Sequence, residues 1–196
     1  MAKRESTFVS MVITLSIVAL VAAGLLGSIY EVTKEPIRLA ELKQKNNAIK
    51  AAVPEFDNTP SEEYVKIGMD GDSVVLYTVK RNGEQIATAV ETFTNSGFSG
   101  HFKLMVGFDP EGNIIDVAVI SHSETPGLGD KMEQGKSDFH VQFQGKHPEE
   151  FKLMVKKDRG DVDAIAATTI SSRAYCEAVQ RAYDAYMSAS GSGNNN

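Results

Sequence analysis

Hydrophobic positions follow four regimes along the chain. From Phe8 to Tyr30 no charged residue interrupts an apolar run, longer than the ~20 residues that cross a hydrocarbon core. From Glu31 to Val53 the pattern is a polar helix with a thin stripe of Leu39, Leu42, Ile49 and Val53, and Pro54 ends it. Pro36 suits a first-turn position or a kink where the chain leaves the apolar run. The period then shortens to that of strands. Ser73 to Lys80 and Gln85 to Phe93 flank Asn82-Gly83, a strong hairpin turn. Phe102, Leu104, Val106 and Phe108 alternate, Asp109-Pro110-Glu111-Gly112 turns the chain, and Ile114 to Ile120 pairs back. Asp57 to Ser61 and Thr94 to Gly100 read as loops. Finally Ala174, Ala178, Ala182 and Ala185 recur at helical spacing with Val179, Tyr183 and Tyr186 between them. The prediction is an α+β chain: one N-terminal transmembrane helix, then a mixed, mainly antiparallel sheet with packed helices.

Lys3 and Arg4 precede the apolar run, which places residues 1–7 in the cytoplasm and the remainder outside it. The run is long for a signal core and lacks a clear cleavage site, so an uncleaved anchor is expected over residues 8–30. Ala22-Ala23-Gly24 keeps cleavage as the rival. Residues 31–60 form a juxtamembrane helix and linker, 61–187 the folded domain, and 188–196 a polar tail expected to be disordered.

Composition narrows the function. The chain has 196 residues and a net charge of −6, which argues against a nucleic-acid partner because phosphate neutralisation needs a basic surface. Cys176 is the single cysteine, so an internal disulfide or a four-thiolate cluster is excluded; a buried or half-buried thiol is expected. His101, His122, His140 and His147 show no metal-ligand spacing. The glycine-rich stretch at 94–100 lacks the spacing of a P-loop or a dinucleotide fingerprint, and no nucleophile elbow is present.

Two stretches carry candidate chemistry. In Asp163-Ala164-Ile165-Ala166-Ala167-Thr168-Thr169-Ile170-Ser171-Ser172, four hydroxyls fall within five residues just ahead of the last helix. Such a cluster is either an ordinary N-cap or an anion site, since the first amides of a helix lack internal partners. In His122-Ser123-Glu124-Thr125-Pro126-Gly127-Leu128-Gly129-Asp130-Lys131, glycines let backbone amides approach a flat ligand and Pro126 stiffens the loop. A rigid surface loop is the alternative reading. Lys156, Lys157 and Arg159 are either a solvated charge run or cations that steady a bound phosphate.

These stretches resemble the FMN-binding domain of the G subunit of the Rnf electron-transport complex and of the C subunit of the sodium-translocating NADH:quinone reductase. The flavin-attachment motif of that family, Asp-Ala-x-Ser-Gly-Ala-Thr-x-Thr/Ser-Ser, matches at Asp163, Ala164, Ser171 and Ser172 and puts the attachment position on Thr169, with Thr168 as the fallback. Where the family has Ser-Gly-Ala this chain has Ala166-Ala167-Thr168; a left-handed backbone at Ala167 costs on the order of 1 kcal/mol. Gly97-Phe98-Ser99-Gly100, then His-x-Glu-Thr-Pro-Gly-Leu-Gly at His122 to Gly129, and Phe139 to Lys146 resemble further family segments. The length fits the Rnf subunit better than the longer reductase subunit.

The resemblance implies a membrane-anchored electron carrier with FMN joined through its phosphate to Thr169. Ser171, Ser172, Glu124, Thr125, Gly127, Leu128 and Gly129 would contact the cofactor, with Leu128 and Gly129 amides near the ring. It implies a dedicated flavin transferase, membrane lipid and the other subunits of a complex coupling ferredoxin and NAD oxidoreduction to ion translocation, with no independent activity. The subunit would sit in the cytoplasmic membrane with its domain on the outer side. Two rivals remain: an anchored structural or binding subunit whose altered motif no longer takes FMN, and an independent flavin-dependent reductase.

Overall fold

A computed structural model describes residues 7–69 and 72–192. The chain divides into two compact units, Met1–Lys43 and Gln44–Asn196. Helix α1, Phe8–Ala52, is continuous. It is long and apolar enough near its N-terminus to cross a membrane. Leu15, Leu20 and Leu26 there stand exposed on the helix surface, as lipid-facing side chains do. Pro36 lies inside α1, and the polar juxtamembrane helix continues from the apolar run as one element.

The second unit is built on a five-stranded sheet: β1 Tyr64–Met69, β2 Asp72–Arg81, β3 Glu84–Gly97, β4 Gly100–Phe108 and β5 Ile114–Ser121. The order is β1-β2-β3-β4-β5 and every pairing is antiparallel, so the sheet is a plain meander with no parallel strands mixed in. Asn82 and Gly83 both have positive φ, as the two-residue turn between β2 and β3 requires. The stretch from Thr94 to Gly100, expected as a loop, is strand up to Gly97, a two-residue turn at Phe98-Ser99, and strand again from Gly100.

Both sheet faces are covered. On one lies α2, Thr169–Ser192, with Ala174, Ala178, Ala182 and Ala185 all buried against the strands. The small side chains let backbones approach closely: the buried Thr92 hydroxyl donates to the Ala178 carbonyl at 3.0 Å. Beside α2 a short 3-10 turn, Phe139–Phe143, packs both phenylalanines on Tyr175, with centroids at 5.0 and 5.3 Å. Cys176 is buried in this layer and its thiol is pushed up to about 12 by desolvation, which leaves it protonated and structural. Residues 188–192, expected as tail, continue α2; Ser188 and Ser190 hydroxyls bond back to Asp184 and Tyr186 carbonyls. Residues 193–196 and 1–6 lie outside the described residues.

On the other face sits the last stretch of α1, with Ala48, Ile49 and Ala52 buried, followed by Val53. Of the stripe expected here, Ile49 and Val53 are buried, while Leu39 and Leu42 lie in the first unit and are exposed. The layer contains a buried carboxylate, Glu91, whose Oε2 takes the Lys45 ammonium at 2.9 Å and the Tyr77 hydroxyl at 2.8 Å, with Lys103 at 3.5 Å from Oε1. Burial opposes its ionisation, yet the Lys45 ammonium and its other partners hold the carboxyl below the usual carboxylate range.

Candidate functional site

The first turn of α2 is the centre of the site. Thr168 stands just before the helix, and its carbonyl accepts the first helical bond, from Ser172 N at 3.0 Å. The amides of Thr169, Ile170 and Ser171 therefore precede the intrahelical ladder. The first turn carries no acidic residue. The Thr168 hydroxyl turns back to the Ile165 carbonyl at 3.3 Å and does not reach over the turn. Ser171 is 1 % exposed and its hydroxyl has no hydrogen-bond partner among the described residues. A buried hydroxyl without a partner costs on the order of 1–3 kcal/mol, so such a group in a native fold calls for an explanation.

The chain enters this turn through an unusual backbone. Ala167 has a φ of 64°, the left-handed conformation that glycine adopts readily and alanine does not. This is the position where the resembling motif carries glycine. Upstream, Gln142 clamps Asp163: its carboxamide oxygen accepts the Asp163 amide at 2.8 Å and its nitrogen donates to the Asp163 carbonyl at 3.2 Å. The segment around Phe139–Lys146 is thereby tied to the start of the Asp163–Ser172 stretch.

Across from the turn lies the Glu124–Gly129 loop. Thr125 to Leu128 closes with Leu128 N on the Thr125 carbonyl at 3.1 Å; Pro126 and Gly127, with a φ of 78°, occupy the central positions of a type II turn. Glu124 is buried. Its Oε1 accepts the Ser99 amide at 3.2 Å, and its own amide donates to His122 Nδ1 at 2.9 Å. With Nδ1 accepting, Nε2 carries the ring proton and donates to Glu133 Oε1 at 2.5 Å. Lys136 joins this carboxylate to the next, at 2.9 Å from Glu133 and 3.1 Å from Asp130. Burial works against the charge on Asp130 and Glu133, but hydrogen bonds from Lys136 and the Gly127 backbone hold Asp130, and hydrogen bonds from His122 and Lys136 hold Glu133, below the usual carboxylate range. The loop is thus pinned from behind by ion pairs.

Between the two stretches is a cavity of 260 Å³ lined by Phe98, Glu124, Thr125, Leu128, Gly129, Ala167, Thr168, Thr169, Ile170 and Ser171. Of the residues singled out in the sequence, Thr169, Thr168, Ser171, Glu124, Thr125, Leu128 and Gly129 come together here. Gly127 does not line the cavity; its work is the turn. Ser172 also points elsewhere: its hydroxyl donates to the Thr168 carbonyl and accepts the Ile165 amide, both at 3.0 Å. Lys156, Lys157 and Arg159 are not in the lining, and Lys156 pairs with Asp163 at 2.6 Å. Phe98, Ala167 and Ile170 line the cavity although the sequence reading gave them no contact role; their flanking glycines and hydroxyls were the available signal. A larger groove of 800 Å³ runs along α2 beside Leu153, Met154 and Val155, and in it Arg173 pairs with Asp158 and Arg181 with Glu177.

The family model described as the FMN-binding domain matches residues 97–184, which span the hairpin tip, the 124–129 loop and most of α2. Over most of its length the chain is similar to proteins named as the G subunit of an ion-translocating oxidoreductase complex. It is 34 % identical to that of Shewanella oneidensis over 179 residues, covering 86 % of this chain and 84 % of the relative. It is 35 % identical to that of Haemophilus influenzae over 177 residues, with 86 % and 85 % covered. The Vibrio cholerae protein is 32 % identical over 181 residues, with 87 % and 86 % covered.

Proposed function

The chain belongs to the family of G subunits of the ion-translocating oxidoreductase complex, and from that premise we propose that it carries electrons through an FMN esterified to Thr169. The observation that carries this reading is the orphaned, buried Ser171 hydroxyl in the uncapped first turn of α2, beside Thr169 and facing the 124–129 loop across one cavity. Three amides and a hydroxyl offer donors to phosphate oxygens at the positive end of a helix. The donor set fits a phosphate, and the cavity leads from it to an apolar mouth suited to a flat ring.

Thr168 is the poorer attachment point, because its hydroxyl is turned to the Ile165 carbonyl and it is 9 % exposed, whereas Thr169 is half-buried. When bound, the isoalloxazine supplies the electron chemistry. The residues of this chain hold the phosphate, shape the ring site and exclude water. A phosphoester retains a cofactor that faces a compartment with no flavin pool to rebind from. A flavin transferase installs it, so Thr169 needs no adjacent base of its own. In this reading α1 is a single-pass anchor in lipid, the N-terminus is cytoplasmic, and the domain lies on the outer side. Other subunits of a complex coupling ferredoxin and NAD oxidoreduction to ion movement exchange electrons with it, and the chain alone turns over no substrate.

Ala167 favours one other reading, an anchored subunit that has lost flavin. A left-handed alanine where the motif has glycine raises the cost of the loop the transferase must recognise. Peptide mass mapping decides. Wild-type protein made in a host that flavinylates carries FMN minus water on the peptide from Asp163 to Arg173, Thr169→Val loses it, and Thr168→Val keeps it. A label that survives Thr169→Val moves the site to Thr168; no label on wild type leaves the flavin-free reading.

A further inference from the structure

The cavity has a polar floor and an apolar mouth. Phe98, Leu128 and Ile170 form the mouth, one side chain each from the β3–β4 turn, the 124–129 loop and the start of α2. All three are exposed, Phe98 to 66 %. The cavity's 260 Å³ falls short of the ~300 Å³ at which pockets begin to enclose a whole drug-sized ligand. A molecule anchored by its phosphate at Thr169 therefore extends its ring to the mouth.

Phe98 differs from the other phenylalanines of the second unit. Phe93, Phe102, Phe108, Phe139 and Phe143 are buried and Phe56 and Phe151 half-buried, while Phe98 is held out at a hairpin tip, and among the described residues no aromatic ring packs on it. The tip is nevertheless fixed. Pairing of β3 with β4 runs to Gly97 opposite Gly100, and the Ser99 amide bonds Glu124 Oε1. The Glu124 carboxylate is wedged between two glycines: a Cβ on Gly97 would lie 2.7 Å from Oε1, and one on Gly129 would lie 2.6 Å from Oε2. A buried acid thus joins the two walls of the mouth, and its position dictates where Phe98 stands.

We propose that Phe98 is the side chain that lies against the isoalloxazine ring, and that Glu124 is a positioning residue that holds Phe98 there through the Ser99 amide. The proposal rests on the flavin reading above. An aromatic ring at the mouth gives an offset-stacked or edge contact to a flat ligand while leaving its far edge open to an electron partner.

The test is iodide quenching of flavin fluorescence on the flavin-loaded full-length chain, with the peptide mass label measured on the same samples. An aromatic contact of ordinary strength shifts the balance between docked and swung-out ring by about fivefold, so Phe98→Ala raises the quenching constant by up to about that factor while the label is unchanged. Glu124→Ala reproduces the rise, and Glu124→Gln, which keeps an oxygen to accept the Ser99 amide, restores the wild-type value. The double variant Phe98→Ala/Glu124→Ala rises no further than the larger single one. An intact label with unchanged quenching in Phe98→Ala overturns the ring contact; a rise in Phe98→Ala without one in Glu124→Ala overturns the strut. Absence of the label from wild type removes the flavin reading itself, which the mass and not the quenching reports.

Discussion

Glu91 and Glu124 are both buried glutamates, one in strand β3 and one in the loop after β5, and their surroundings differ in kind. Glu91 takes two ammonium groups and a tyrosine hydroxyl, in the layer that also buries Ala48, Ile49, Ala52, Ala87 and Ala89. Glu124 takes a backbone amide from a hairpin tip, beside a hydroxyl with no partner, a left-handed alanine and three exposed apolar side chains. The first carboxylate finds its partners within the protein. The surroundings of the second store their imperfections where a ligand would relieve them. Buried polar groups that are satisfied hold a fold together; those that are not mark where a fold expects something else.

The comparison breaks most visibly at Glu91. Lys45→Met leaves Glu91 buried with Lys103 and Tyr77 alone and lowers stability by about 3 kcal/mol, read from chemical denaturation of the full-length chain in detergent. The flavin label stays. The acid limb moves as well. A carboxyl whose folded value is depressed stabilises the fold above its unfolded value, and that contribution disappears as pH falls through the folded one. Wild type therefore keeps the Glu91 contribution until pH drops below the ordinary carboxylate range, and Lys45→Met loses it at higher pH. A variant with an unmoved acid limb would show that Lys45 is not what charges Glu91.

Ser171→Ala sharpens the open face by sign. In flavin-free protein it removes an unsatisfied hydroxyl and raises stability by about 1 kcal/mol. In loaded protein it removes a phosphate donor and gives no gain. Equal shifts in both forms would place the hydroxyl away from the ligand.

The smallest effect is at the strained residue. Ala167→Gly relieves the left-handed φ and raises stability by about 1 kcal/mol or slightly less, since glycine also loosens the unfolded chain. A loss in the thermal melt would mean that the alanine side chain contributes by packing.

Local rules in the sequence reached the hairpins, the alanine stripe of α2 and the stop before Pro54, because each depends on neighbours in the chain. They missed β1, where Gly68 interrupts a weak alternation. Extension of β3 to Gly97 was hidden by a run of Thr, Asn and Ser that local statistics assign to loops; pairing with β4 decides it. The site divides the same way. Thr169, Glu124 and Gly129 were legible through resemblance, which condenses long-range contacts into motifs. The inward turn of Ser172, the Gln142 clamp on Asp163 and the placing of Phe98 are tertiary events with no local signature.

The most direct test of a phosphoester at Thr169 is phosphorus NMR of the flavin-loaded chain as a function of pH. A phosphomonoester has a second ionisation near pH ~6, and a diester has none. The account predicts one protein-bound resonance whose shift stays constant between about pH 5 and 8 and which is missing from Thr169→Val. A resonance that titrates near pH ~6, in wild type and in Thr169→Val alike, would show a phosphate that is held by the helix but not bonded to it, and would contradict the account.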